Sequence, residues 1–66
     1  MQITVNGESR EVPGGTTIAR LLESLGVPRR PTAVEVNREL VPRSQHAAWI
    51  LAEGDAVEIV TLVGGG

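Results

Sequence analysis

No cysteine occurs anywhere in the sequence. A disulfide framework, a cysteine-ligated zinc site and a thiol nucleophile are therefore excluded, which suits a reducing compartment. Any sulfur chemistry has to take place on something other than cysteine. Lysine is absent too, since all six basic residues are arginine. That removes a Schiff-base lysine and any internal lysine acceptor for an acyl group. Phenylalanine and tyrosine are missing and there is one tryptophan, so no platform exists for stacking bases. The net charge is −2 and the arginines are scattered, which is not the footprint of a nucleic-acid binder. No apolar run approaches the roughly 20 residues of a membrane span. The opening MQITVNG has no basic segment followed by an apolar one, as a signal peptide would. A soluble, unprocessed, cytoplasmic protein is expected, monomeric when free.

What is present is one small domain's worth of chain. At 66 residues, such a domain buries only about 60% of the surface its unfolded form exposes. Met1, Ile3 and Val5 alternate with Gln2, Thr4 and Asn6, the period of a strand with one buried face. Asn6-Gly7 suits a two-residue hairpin turn, because both residues tolerate positive φ. A second strand, polar apart from Val12, is expected to return over Glu8 to Val12 as a charged edge. Pro13-Gly14-Gly15 breaks it, and Thr16 or Thr17 is placed to cap a helix. Ile18, Leu21, Leu22 and Leu25 then recur at i, i+3, i+4 and i+7, one apolar face of a helix that Gly26 closes. The Gly14-Gly15 pair is not followed by Gly-Lys-Ser/Thr, so it reads as a connector rather than a phosphate loop.

Val27 to Pro31 is a proline-stiffened connection carrying Arg29 and Arg30, read as a solvated pair. Val34 and Val36 mark a third strand over Thr32 to Asn37. A turn at Asn37-Arg38-Glu39 leads into a short fourth strand, Leu40-Val41, ended by Pro42. Between Arg43 and Leu51 the pattern is least regular. Ser44 is placed to cap a short helical turn, and Trp49-Ile50-Leu51 are expected to close one end of the core. His46 is the sole histidine and reads as a surface or half-buried structural residue, since a metal site needs several convergent ligands. Glu53-Gly54-Asp55 turns the chain into a fifth strand. Val57, Ile59, Thr61 and Val63 share one face of it, and Glu58, Val60 and Leu62 the other. Apolar residues on both faces indicate a central strand, or one whose second face meets a partner.

That strand runs directly into Gly64, Gly65 and Gly66, where the sequence stops. Glycines cannot pack a core, but a backbone without side chains can thread a narrow channel. The carboxylate of Gly66 is therefore unusually deliverable to another protein's active site, and Gly64 and Gly65 give it access. No nucleophile, base and orienting group can be assembled with any specificity from the side chains, so a catalytic enzyme is not expected.

The order strand, strand, helix, strand, short strand, strand with terminal glycines resembles the ubiquitin-like β-grasp fold. More closely, the sequence resembles the thiamine-biosynthesis sulfur carriers of the ThiS family. The resemblance runs through ITVNGE, TTIARLLESLG, VEVNRELVPRS and EGDAVEIVTLVGGG. It implies an α+β fold, a mixed sheet of four to five strands with one helix packed across it, over residues 1–63, and a flexible glycine tail at 64–66. The family's terminal Gly-Gly falls on Gly65 and Gly66, with Gly64 extending it. The resemblance further implies that Gly66 is adenylated with ATP by a ThiF-type, ubiquitin-activating-like enzyme and converted to a thiocarboxylate. Its sulfur comes ultimately from cysteine, through a cysteine desulfurase or equivalent sulfur donor, and is passed to thiazole synthase. No cofactor is expected to stay bound to the carrier itself. Val60 and Leu62, on the outer face of the fifth strand, are expected to belong to a docking patch that the partners read in turn.

Two other β-grasp functions fit part of the pattern. The small subunit of molybdopterin synthase resembles this sequence in fold, Gly-Gly end and thiocarboxylate chemistry, but tends to be longer, with more aromatics near its C-terminus. A ubiquitin-like modifier would join Gly66 to lysines of target proteins. A non-covalent interaction module would have no use for the glycines.

Overall fold

The computed structural model describes residues 1–28 and 32–61. Five strands and one α-helix follow one another as β1 (Gln2–Val5), β2 (Glu8–Glu11), α1 (Ile18–Leu25), β3 (Thr32–Val36), β4 (Glu39–Val41) and β5 (Ala56–Thr61), with a short 3₁₀ turn at Arg43–Gln45. The strands form one sheet in the order β2-β1-β5-β3-β4. β1 and β5 run parallel, and the other neighbouring pairs are antiparallel.

The β1–β2 hairpin forms where the sequence places it, with Asn6 at φ 51° and Gly7 at φ 84°. The same device recurs at the β3–β4 turn, where Asn37 and Arg38 take φ 52° and 69°. Both are consecutive left-handed residues, whose twist matches that of the flanking strands. All four residues of β2 are exposed. This edge strand carries Glu8, Arg10 and Glu11, charges that discourage pairing with another chain. It stops one residue short of Val12, which turns into the core.

Thr17 is the helix cap: its hydroxyl accepts from the Arg20 N–H at 3.2 Å. Thr16 serves the loop instead, donating its hydroxyl to the Pro13 carbonyl at 2.6 Å. At the other end Gly26, at φ 71°, donates its N–H to the Glu23 carbonyl at 3.1 Å. Ile18, Leu21 and Leu22 are fully buried and Leu25 partly so. They pack against Ile3, Val5, Val34, Val36, Val41, Leu51 and Val57 from the sheet and its connections, so helix and sheet bury their single apolar faces against each other.

The segment between β4 and β5 departs from the sequence expectation in three ways. His46 is neither on the surface nor half-buried; it is 4% exposed. The 3₁₀ turn after Pro42 brings its ring back under β4, where Nε2 lies 3.0 Å from the Val41 carbonyl oxygen. A carbonyl only accepts, so Nε2 carries the proton. Its Nδ1 has no hydrogen-bond partner among the described residues. Ser44 does not cap the 3₁₀ turn, whose N-terminal flank is Pro42 without a side-chain cap. Ile50 does not close the core: it is 63% exposed, while Leu51 is buried and Trp49 partly buried. The chain is extended here and bridges to Thr17, so neighbouring side chains point to opposite sides.

Candidate functional site

The functional group expected from the sequence is the Gly66 carboxylate, approached through Gly64 and Gly65. These three residues and Leu62 lie outside the described residues. What the structure does describe is the base from which that segment leaves. β5 lies at the centre of the sheet, parallel to β1 on one side and antiparallel to β3 on the other. Val57 is buried and Ile59 half-buried under the helix, whereas Glu58 and Val60 project from the opposite face.

Val60 is 55% exposed, as the docking expectation requires. Cross-strand register shows what surrounds it. Ala33 of β3 stands opposite Val60, and Glu58, Glu35 and Leu40 line up across β5, β3 and β4 in the neighbouring row. Leu40 is 63% exposed. The open face of the sheet thus combines apolar Val60, Leu40 and Ala33 with the carboxylates of Glu35 and Glu58. The exposure of Leu40 has a signal in the sequence, because of the adjacent pair Leu40-Val41 in a strand only one can face the core, and Val41 is the buried one.

Two asparagines tie β5 to its neighbours through their side chains. Asn37, in the β3–β4 turn, accepts the Ala56 N–H on Oδ1 at 3.0 Å and donates from Nδ2 to Asp55 Oδ1 at 3.0 Å. Asn6, in the β1–β2 turn, accepts the Ile59 N–H on Oδ1 at 2.8 Å and donates from Nδ2 to the Ile59 carbonyl at 3.3 Å. From the sequence both read as turn residues alone. Their side-chain role depends on a strand about 20 and 50 residues further along, which local turn chemistry does not reveal.

Among the described residues no group of three His, Asp or Glu side chains converges as a metal site, and no helix is long and apolar enough to cross a membrane. His46, sealed beneath β4, cannot reach a substrate. The chemistry this arrangement can offer is presentation: a rigid strand at the centre of a sheet, an open apolar and acidic face beside it, and a glycine segment that follows.

Comparison with known proteins agrees with that architecture. Residues 3–66 match the family model described as the ThiS family. Over its full length the chain is 33% identical to all of a sulfur carrier protein ThiS from Escherichia coli. It is also 44% identical to part of a thiazole synthase from Paramagnetospirillum magneticum, where it spans 20% of that protein. A crystal structure of thiamine biosynthesis protein ThiS from Geobacter metallireducens superposes with a TM-score of 0.84 at 35% identity, each chain covered completely. Strand order, helix placement and matches along essentially the whole sequence therefore agree that the chain belongs to the ThiS family, with its ubiquitin-like fold.

Proposed function

We propose that this protein is a cytoplasmic sulfur carrier of thiamine biosynthesis, a co-substrate of other enzymes rather than an enzyme, whose functional group is the carboxylate of Gly66. The observation that carries the reading is a strand fixed at the centre of the sheet leading into Gly64, Gly65 and Gly66.

A carboxylate is a poor electrophile at neutral pH. In the proposed reaction an oxygen of the Gly66 carboxylate attacks the α-phosphorus of ATP in a ThiF-type enzyme, and pyrophosphate leaves. The resulting acyl-adenylate has a good leaving group. Sulfur supplied through a cysteine desulfurase or equivalent then replaces AMP at the acyl carbon, giving a terminal thiocarboxylate. That sulfur is itself nucleophilic, and thiazole synthase takes it up. Glycine suits both visits because a side chain at the reacting end would obstruct entry to either active site. The absence of cysteine is consistent with this division of labour: the nucleophilic sulfur arrives on the terminus and leaves from it.

The link to thiazole synthase has support from a relative of that name that contains a segment similar to this whole chain. Val60, Leu40 and Ala33, with Glu35 and Glu58 between and beside them, form the proposed docking face; the sequence expectation adds Leu62, outside the described residues. Partners are expected to offer an apolar surface bordered by basic residues.

Intact mass after incubation with ATP, the cognate activating enzyme and a sulfur source tests the reading. Exchange of one carboxyl oxygen for sulfur adds about 16 Da at Gly66, whereas conjugation to a protein adds a second chain. Absence of the shift with an activating enzyme of proven competence would remove the carrier function. Rescue of a strain lacking its thiamine sulfur carrier, rather than one lacking the molybdopterin synthase small subunit, assigns the pathway.

A further inference from the structure

We infer that Asn6 is a positioning residue for sulfur transfer, holding β5 in place up to Thr61 as the base for the segment that carries Gly66. This rests on the sulfur-carrier reading for its functional consequence and on hydrogen bonds alone for its structural one.

β1 and β5 run side by side only as far as Val5 and Val57. At Asn6 the chain turns away towards β2, with φ 51° there and 84° at Gly7. β5 nevertheless continues to Thr61. The Asn6 backbone N–H still reaches the Val57 carbonyl at 2.9 Å. Beyond that point the carboxamide takes over: Oδ1 receives the Ile59 N–H and Nδ2 donates to the Ile59 carbonyl. A side chain thus presents the donor and acceptor that the next residue of a longer β1 would have presented. On the other side β3 pairs with β5 as far as Thr32 and Thr61.

Without the carboxamide, β5 after Val57 would be tied along one edge only. An edge strand frays more readily than one held on both sides. The end of β5 would then take a range of positions, and a partner would have to order it on binding. Asn is suited to both tasks at this position. It tolerates the left-handed turn conformation, and its amide supplies one donor and one acceptor, which Asp cannot.

Asn37 provides a matched control. It too sits at positive φ, 52°, and bonds to the other end of β5 at Ala56. Glycine accepts both backbone conformations without strain, so Asn6→Gly and Asn37→Gly each remove a carboxamide and leave the turn. The full chain is followed by amide exchange, by thermal unfolding, and by adenylation in an ATP–pyrophosphate exchange assay with carrier concentration varied.

In N6G, exchange at the Ile59 amide is expected to rise about tenfold or more above the other β5 amides. KM for the carrier should rise about fivefold, with kcat changed less than about twofold, because the cost falls on ordering the docked segment. N37G is expected to lose comparable thermal stability and to keep its KM. Unchanged Ile59 exchange in N6G, or equal KM effects in the two variants, overturns the inference. If the unmutated protein is not adenylated at all, the carrier reading fails. The clamp itself is then still decided by Ile59 exchange.

Discussion

Val60 is the residue on which the docking face can be tested most directly. It is more than half exposed on the side of β5 away from the helix, so Val60→Asp removes no core contact. The cost to stability should stay near 1 kcal/mol, mainly the poor strand propensity of Asp. The new charge lies on a face that already bears Glu58 and Glu35, and it would have to be desolvated against an apolar partner surface. Adenylation is expected to slow about tenfold or more, read from initial rates with a folded variant verified by circular dichroism. A folded variant activated at the original rate would sink the docking face. His46 illustrates the opposite situation. Its type invites a catalytic role, but burial beneath β4 with Nε2 on the Val41 carbonyl makes it a packing residue.

At the scale of elements, the helix is held by a short list of local devices and one apolar stripe. Thr17→Ala removes the hydroxyl that accepts from Arg20 N–H, and a lost cap costs about 1 kcal/mol. For a domain this small the melting temperature should fall about 4–8 °C. Since α1 lies on the face of the sheet opposite Val60 and Leu40, adenylation of the folded variant should be unaffected. A scanning calorimetry trace and one activity assay check both halves of this statement. A normal melting point would show that water replaces the cap at no cost, and a loss of activity would place the helix in the docking surface. The helix, the first hairpin and the alternation of β3 and β5 were legible in the sequence because each is set by neighbours within about one helical turn or one strand length. The segment Arg43 to Leu51 was not. Its conformation answers to Val41 and to the helix, through the bonds from Ala19 N–H to the His46 carbonyl and from Ile18 N–H to the Trp49 carbonyl.

For the whole molecule, the proposal separates stability from function along the chain. The core is closed by residues from Ile3 to Val57, and among the described residues none of it, partly buried flank included, lies beyond Ile59. Deleting Gly66 is therefore expected to leave the melting temperature within about 1 °C while abolishing adenylation, as measured by pyrophosphate exchange. A substantial fall in melting temperature would mean that the glycines serve the fold. Retained adenylation would mean that the carboxylate of Gly65, one residue shorter, still reaches the activating site. Such a separation suits a carrier that must present one terminus to several enzymes without refolding.

The helix, the strands and the side-chain chemistry that is impossible here follow from the amino-acid order alone. Alternation and helical spacing act locally, and a residue type that is missing cannot be supplied by folding. Without cysteine or lysine, no side chain offers a thiol nucleophile or an amine acceptor for an acyl group. Which surface lies open and what holds β5 depend on how the strands meet in three dimensions. Leu40 joins Val60 because three strands set their register against one another. Asn6 reaches Ile59 because a parallel pairing brings together residues more than 50 positions apart. Such contacts depend on the direction in which strands meet, and no local preference encodes it.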